Sequence, residues 1–173
     1  MGLKIEKGVK GMRYVINQKI FAFGDDFSIK DYTGREVYFV KGKVFSIGDK
    51  LKLYDCQGQE VINIRQKVFA FLPEYYIDLY GQEVARVKKQ FTLFSQKFDI
   101  DSSLGTFEVC GNILAHNFEI YKNGTMVAEV SKKWLAIRDS YTVDIDESEN
   151  HAFILALCIV IDQVLHDNNR NNN

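Results

Sequence analysis

Ten consecutive residues near the end of the chain, Ala152 to Ile161, carry no polar side chain. A run of that length covers every face of a helix, so a helix formed here needs apolar partners all round. It is too short to cross a bilayer comfortably, and a buried core helix is the expected alternative. Asp146, Glu147 and Glu149 precede it, where carboxylates meet the positive end of a helix. Ser148 or Asn150 is placed to cap it.

The rest of the chain reads as strands that could surround such a helix. Four segments repeat a pattern centred on a glycine: Phe27 to Phe39, Leu51 to Ile64, Tyr76 to Val87 and, more loosely, Phe118 to Val130. In each, a valine follows the glycine by three residues, and three of them carry Asp-x-x-Gly-x-Glu-Val. Alternating apolar and polar residues turn one face of a strand inward. Asp bonds the backbone of a turn, and Gly supplies the positive φ that a side chain resists. The repeated unit is therefore a β-hairpin, with Asn123-Gly124 as its two-residue version.

Further strand-like runs follow the basic clusters that end each unit: Val44 to Ile47, Val68 to Leu72, Phe91 to Phe94 and Trp134 to Ile137. Lys97 to Ile100, Phe107 to Val109 and Tyr141 to Ile145 complete the series. The spacing predicts about twelve strands, with their aromatic residues alternating as core positions do. Thirteen Phe, nine Tyr and a single proline, Pro73, suit paired strands. Closing the strands around the apolar helix removes exposed sheet edges, so the expected fold is a twelve-stranded closed antiparallel barrel around a buried C-terminal helix. With 173 residues the chain fits one domain.

These features resemble the LURP-one-related proteins, and the stretch from Met12 to Lys19 (MRYVINQK) is similar to the start of their bacterial members. The resemblance covers about Met12 to Asp167. It implies a Tubby C-terminal-like fold, shared with the phospholipid scramblases, and leaves residues 1–11 as an N-terminal extension and 168–173 as a loose Asn-rich tail. The segment Asp144-Ile145-Asp146 before the apolar run is similar to the calcium-associated loop of the scramblases. Glu149 stands where such a loop needs Gly, and Leu155 where it needs a bidentate Glu, so a solvated acidic segment ahead of the helix is the preferred reading and no metal is assigned.

Catalytic patterns are absent from the sequence. His116, His151 and His166 are scattered, without a nucleophile motif or metal-ligand spacing, and His116 reads as a loop or core residue. Gly42 and Gly48 make no phosphate loop. The pairs Asp99/Asp101 and Asp144/Asp146 each share a strand face and read as polar surface rather than as an acid pair. Cys56, Cys110 and Cys158 are odd in number and far apart, and read as free thiols of a reducing compartment. No cofactor is expected. The N-terminus has Lys4, Lys7 and Lys10 but no apolar stretch of a signal peptide, and Glu6 stands where a myristoylation motif wants Ser or Thr, so a cytoplasmic location is expected.

The lysines at the ends of the repeated units carry the functional expectation. Lys41, Lys43, Lys67, Lys88, Lys89, Lys132 and Lys133 should recur at similar heights on the barrel. Such a cluster attracts anionic headgroups at about 1 kcal/mol per charge. The resemblance points the same way, because Tubby domains bind phosphoinositides. The expected function is thus non-enzymatic binding of anionic phospholipid at the cytoplasmic membrane surface, by a monomer. The alternative is a structural or protein-interaction scaffold without a small ligand; enzyme or scramblase-like activity is a minor third option. A net charge of −1 and the lack of aromatics interleaved with the basic residues argue against nucleic acid.

Overall fold

A computed structural model describes residues 9–17, 26–42, 50–92, 96–132 and 140–170. Twelve strands form a single sheet: β1 (Gly11–Asn17), β2 (Phe27–Asp31), β3 (Glu36–Gly42), β4 (Lys50–Asp55), β5 (Glu60–Gln66), β6 (Glu74–Leu79), β7 (Gln82–Lys89), β8 (Phe98–Ser102), β9 (Phe107–Asn112), β10 (Asn117–Lys122), β11 (Thr125–Ser131) and β12 (Ser140–Asp146). One helix, α1 (His151–Arg170), follows, and a 3-10 turn (Ile113–Ala115) joins β9 to β10.

The strand order is β8-β7-β6-β5-β4-β3-β2-β1-β12-β11-β10-β9. Every neighbour is antiparallel, and all but one pair are consecutive in the chain. The exception, β1 on β12, joins the two ends of the strand series in register from Gly11 opposite Asp146 to Asn17 opposite Ser140. Gly11 permits this approach, since a Cβ there would lie 1.6 Å from the Ile145 carbonyl oxygen. The sheet curls until its edge strands, β8 and β9, touch without a shared hydrogen-bond ladder, which makes a nearly closed barrel. β1 thus starts at Gly11, immediately ahead of Met12.

Inside it lies the helix. Side chains from Ala152 to Ile161, and Val164, are all buried, and they meet the inward residues of the strands, among them Ile16, Ile29, Leu53, Ile62, Ile77, Ile120, Val130 and Val143. Asn150 caps α1 by accepting the Phe153 amide at 2.9 Å. The helix continues through Asn168 to Arg170, because a helix anchored in a core propagates into residues of modest propensity.

The turns lie at one end of the barrel. Asp31 Oδ1 accepts the Thr33 and Arg35 amides at 2.9 and 3.1 Å, and Gly34 has φ +86°. Asp55 repeats the arrangement with Gln57 and Gln59, both at 2.9 Å. The third unit departs from the expected pattern. There Leu79 pairs with Gln82, leaving Tyr80-Gly81 as a two-residue turn with φ of 50° and 80°. Asp78, freed from the turn, bonds Arg65 and Asn63 on β5 instead.

The opposite end, here the loop end, holds the connections between hairpins. α1 starts beside Asp146 at the hairpin end and points to the loop end, where its Asp162 reaches His116. The expected strand run Val68 to Leu72 falls here and is not a strand, and of the run Phe91 to Phe94 only the first two residues are described. Residues 67–73 form a tied loop, with the Lys67 amide on the Glu74 carbonyl at 2.8 Å, and Phe91 lies beyond the end of β7. The runs Val44 to Ile47 and Trp134 to Ile137 lie outside the described residues.

Candidate functional site

Antiparallel pairing decides where the seven lysines go. Each is expected near the end of the second arm of a hairpin, and second arms all end at the loop end. Lys41, Lys88 and Lys89 accordingly sit in the last residues of β3 and β7, and Lys67 and Lys132 lie just past β5 and β11. Lys43 and Lys133 lie outside the described residues.

The five differ in what they touch. Lys67 is bonded to both oxygens of Glu74 at 3.2 Å. Glu74 is buried at the start of β6 and also receives Arg86 at 2.6 Å and the Tyr76 hydroxyl at 3.0 Å. Arg86, followed by Lys67 and Tyr76, overcomes the burial and lowers the Glu74 pKa to about 2. Lys67 and Arg86 are thus held by a buried carboxylate. Lys41 lies over the Tyr54 ring, 5.5 Å from its centre, and faces Lys52 across the ladder. Lys88 and Lys132 are exposed. Lys89 is half-buried at the barrel mouth, its pKa is lowered by burial, and no described carboxylate pairs with it.

The loop end also displays hydrocarbon. Val68, Phe69 and Phe71 on the loop before β6, Phe91 after β7 and Leu114 on the 3-10 turn are exposed. These phenylalanines correct the expectation that the aromatics of such runs fill the core. The local alternation is that of a strand, but the segment lies past the last ladder bond and has no barrel interior to face.

A buried polar cluster closes the barrel beneath. Asp162 accepts the Tyr141 hydroxyl at 2.6 Å and meets His116 Nε2 at 2.5 Å, and the two rings lie 4.9 Å apart. His116 is therefore a core histidine. Burial, reinforced by the Asp162 charge, holds the Tyr141 hydroxyl and the Cys158 thiol well above their ordinary pKa values. A thiol so raised is a poor nucleophile. Asp162 gave no motif in the sequence; its signal is a carboxylate in line with an apolar helix, which must find partners where it is buried.

The remaining acidic candidates have structural tasks. Asp144 binds Arg13 through both oxygens at 2.6 and 2.7 Å, and Asp146 accepts the Ser148 amide and hydroxyl ahead of the helix. Asp99 and Asp101 share an exposed face of β8 opposite Lys88 and Arg86. A shallow concavity of about 210 Å³ on β9 to β11 is lined by Cys110, Glu119 and Glu129 among others, and carries no cationic side chain to hold an anion. No described helix is long and apolar enough to cross a membrane.

Comparison with known proteins agrees with this architecture. The family model for LURP-one-related proteins matches residues 12–162. The Bacillus subtilis (strain 168) protein called Uncharacterized protein YxjI is 35% identical over 152 residues, which cover 88% of this chain and 93% of that one. The X-ray structure of an Arabidopsis thaliana protein superposes with a TM-score of 0.65 over 88% of this chain and 90% of that chain. At 22% identity this last likeness speaks for the fold alone.

Proposed function

We propose a function for a chain that belongs to the LURP-one-related family: non-enzymatic binding of anionic phospholipid headgroups at the loop end of its barrel, on the cytoplasmic surface of a membrane. The observation that supports this reading most is Lys89. A half-buried ammonium group with no carboxylate partner among the described residues is destabilised by the loss of water, and a headgroup phosphate at the barrel mouth would supply a counter-charge. Lys88 stands beside it in sequence, and Lys41 and Lys132 share the same end of the sheet. Lys67 contributes less, since Glu74 already offsets its charge.

Co-sedimentation with phosphatidylcholine vesicles, with and without phosphatidylserine, at low and high salt tests the reading. Binding to anionic vesicles only, weakening steeply as salt rises, is the expected result. Inorganic phosphate at millimolar concentration separates a free-phosphate site from a lipid site, because a membrane-level site gains from many charges that one ion does not supply. Absence of binding to any vesicle sinks the proposal. The unladdered edges of β8 and β9 then favour the scaffold alternative, in which an extended segment of a protein partner adds to the open edge.

A further inference from the structure

We propose that Phe69 and Phe71, with Phe91 beside them, enter the apolar edge of the bilayer, so that the barrel stands on the membrane with its loop end down; this rests on the headgroup reading above. Phe69 is 100% exposed, Phe71 96% and Phe91 75%. The other two exposed aromatic side chains among the described residues, Tyr32 and Tyr80, lie at the hairpin end and carry hydroxyls that suit water. Among the described residues, aromatic hydrocarbon without a polar group is thus exposed at one end of the barrel only, and it is the end where the lysines gather.

The two loops that carry it are held in place. They flank the neighbouring strands β6 and β7, and the Lys89 amide bonds the Pro73 carbonyl at 3.1 Å, which ties the root of one loop to the root of the other. Phe69 has φ +61°, a left-handed conformation that a bulky residue rarely adopts. The loop presents this side chain to solvent, where it gains nothing from the protein. Lys67, Lys88 and Lys89 border the tips in sequence. Hydrocarbon at the tip with cations behind it matches the profile of an anionic leaflet, whose acyl chains lie beneath its charged headgroups. A free phosphate would satisfy the lysines and leave the phenylalanines unexplained.

The test replaces Phe69→Trp and, separately, Phe71→Trp, and measures fluorescence on phosphatidylcholine/phosphatidylserine vesicles with brominated acyl chains. The native Trp134 is common to parent and variants, so quenching in excess of the parent reports the loop. Excess quenching at both positions is expected, together with about tenfold weaker vesicle binding for each of Phe69→Ala and Phe71→Ala. The salt dependence should be unchanged in those alanine variants and reduced in Lys88→Gln and Lys89→Gln. Thermal unfolding of each variant checks that it is folded. Vesicle binding without excess quenching overturns the insertion and leaves the headgroup reading standing. No binding by the parent chain overturns both. A lower oligomeric mass of Phe69→Ala in vesicle-free solution shows that a second copy covers the loop, and also overturns the insertion.

Discussion

Asp162, on a late turn of α1, meets Nε2 of His116 at 2.5 Å, although 46 residues separate them and His116 lies on the connection between β9 and β10. The contact fastens the deep end of the helix to the barrel wall. The second carboxylate oxygen is taken by Tyr141 of β12, so the group is satisfied on both sides in a fully buried site. Asp162→Ala should destabilise the protein by about 3–5 kcal/mol, because it removes the buried carboxylate that His116 and Tyr141 both meet. Tyr141→Phe should cost about 1.5–3 kcal/mol, the value of one hydrogen bond to a charged group. Urea unfolding of both variants against the parent checks the order; equal, negligible losses would remove the cluster as an anchor.

Leu157 lies in the middle of α1 with no exposed surface. Leu157→Asp buries a carboxylate with no partner, at a cost of several kcal/mol, and should leave the chain insoluble or unfolded. A soluble variant with the circular dichroism and unfolding midpoint of the parent would mean that the helix is not the centre of the barrel.

Glu74 gives a pH dependence of known sign. Its pKa falls from the ordinary 4.5 to about 2, through Arg86 first and Lys67 and Tyr76 after it. A depressed carboxylate adds stability that is fully present above pH 4.5 and is lost as pH falls toward 2. Glu74→Gln should therefore flatten the acid limb of the stability curve over that window while changing its shape little at neutral pH. Denaturant midpoints collected across the window read the difference. An unchanged acid limb would show that other carboxylates govern acid unfolding.

Position on the barrel, rather than charge alone, should decide which lysines matter for vesicles. Lys88→Glu and Lys89→Glu at the loop end should each weaken binding to anionic vesicles, by about 2 kcal/mol for a reversal of one charge near the surface. Lys30→Glu should not, since Lys30 is exposed on β2 near the hairpin end. Binding isotherms for the three variants at one salt concentration provide the comparison. Equal losses for all three would indicate attraction to the whole molecule instead of to one end.

Hairpin periodicity and the apolar run were legible without coordinates because both are local. Inward residues repeat every second position, as Leu51 and Leu53 do on β4 and Ile62 and Ile64 on β5, and ten unbroken apolar residues leave a helix no polar face. The lysines, too, were found by their place in a repeated unit. Other features needed the third dimension. The same Asp-x-x-Gly pattern gives a turn clasp at Asp31 and Asp55 but an ion pair at Asp78, since Arg65 of the neighbouring strand competes for the carboxylate. Phe69 and Phe71 follow a strand-like alternation, yet only the end of the ladder shows that they face solvent.

By itself, then, the sequence determined the strand-forming units, the buried helix and the placement of basic residues at hairpin ends, because periodicity and turn chemistry act over a few residues. Tertiary structure decided that β1 closes on β12, that β8 and β9 meet without a ladder, that Asp162 finds His116 and Tyr141, and which lysines have carboxylate partners. Those outcomes depend on groups far apart in the chain coming within a few ångströms, and on the loss of water when they do, which no local pattern encodes.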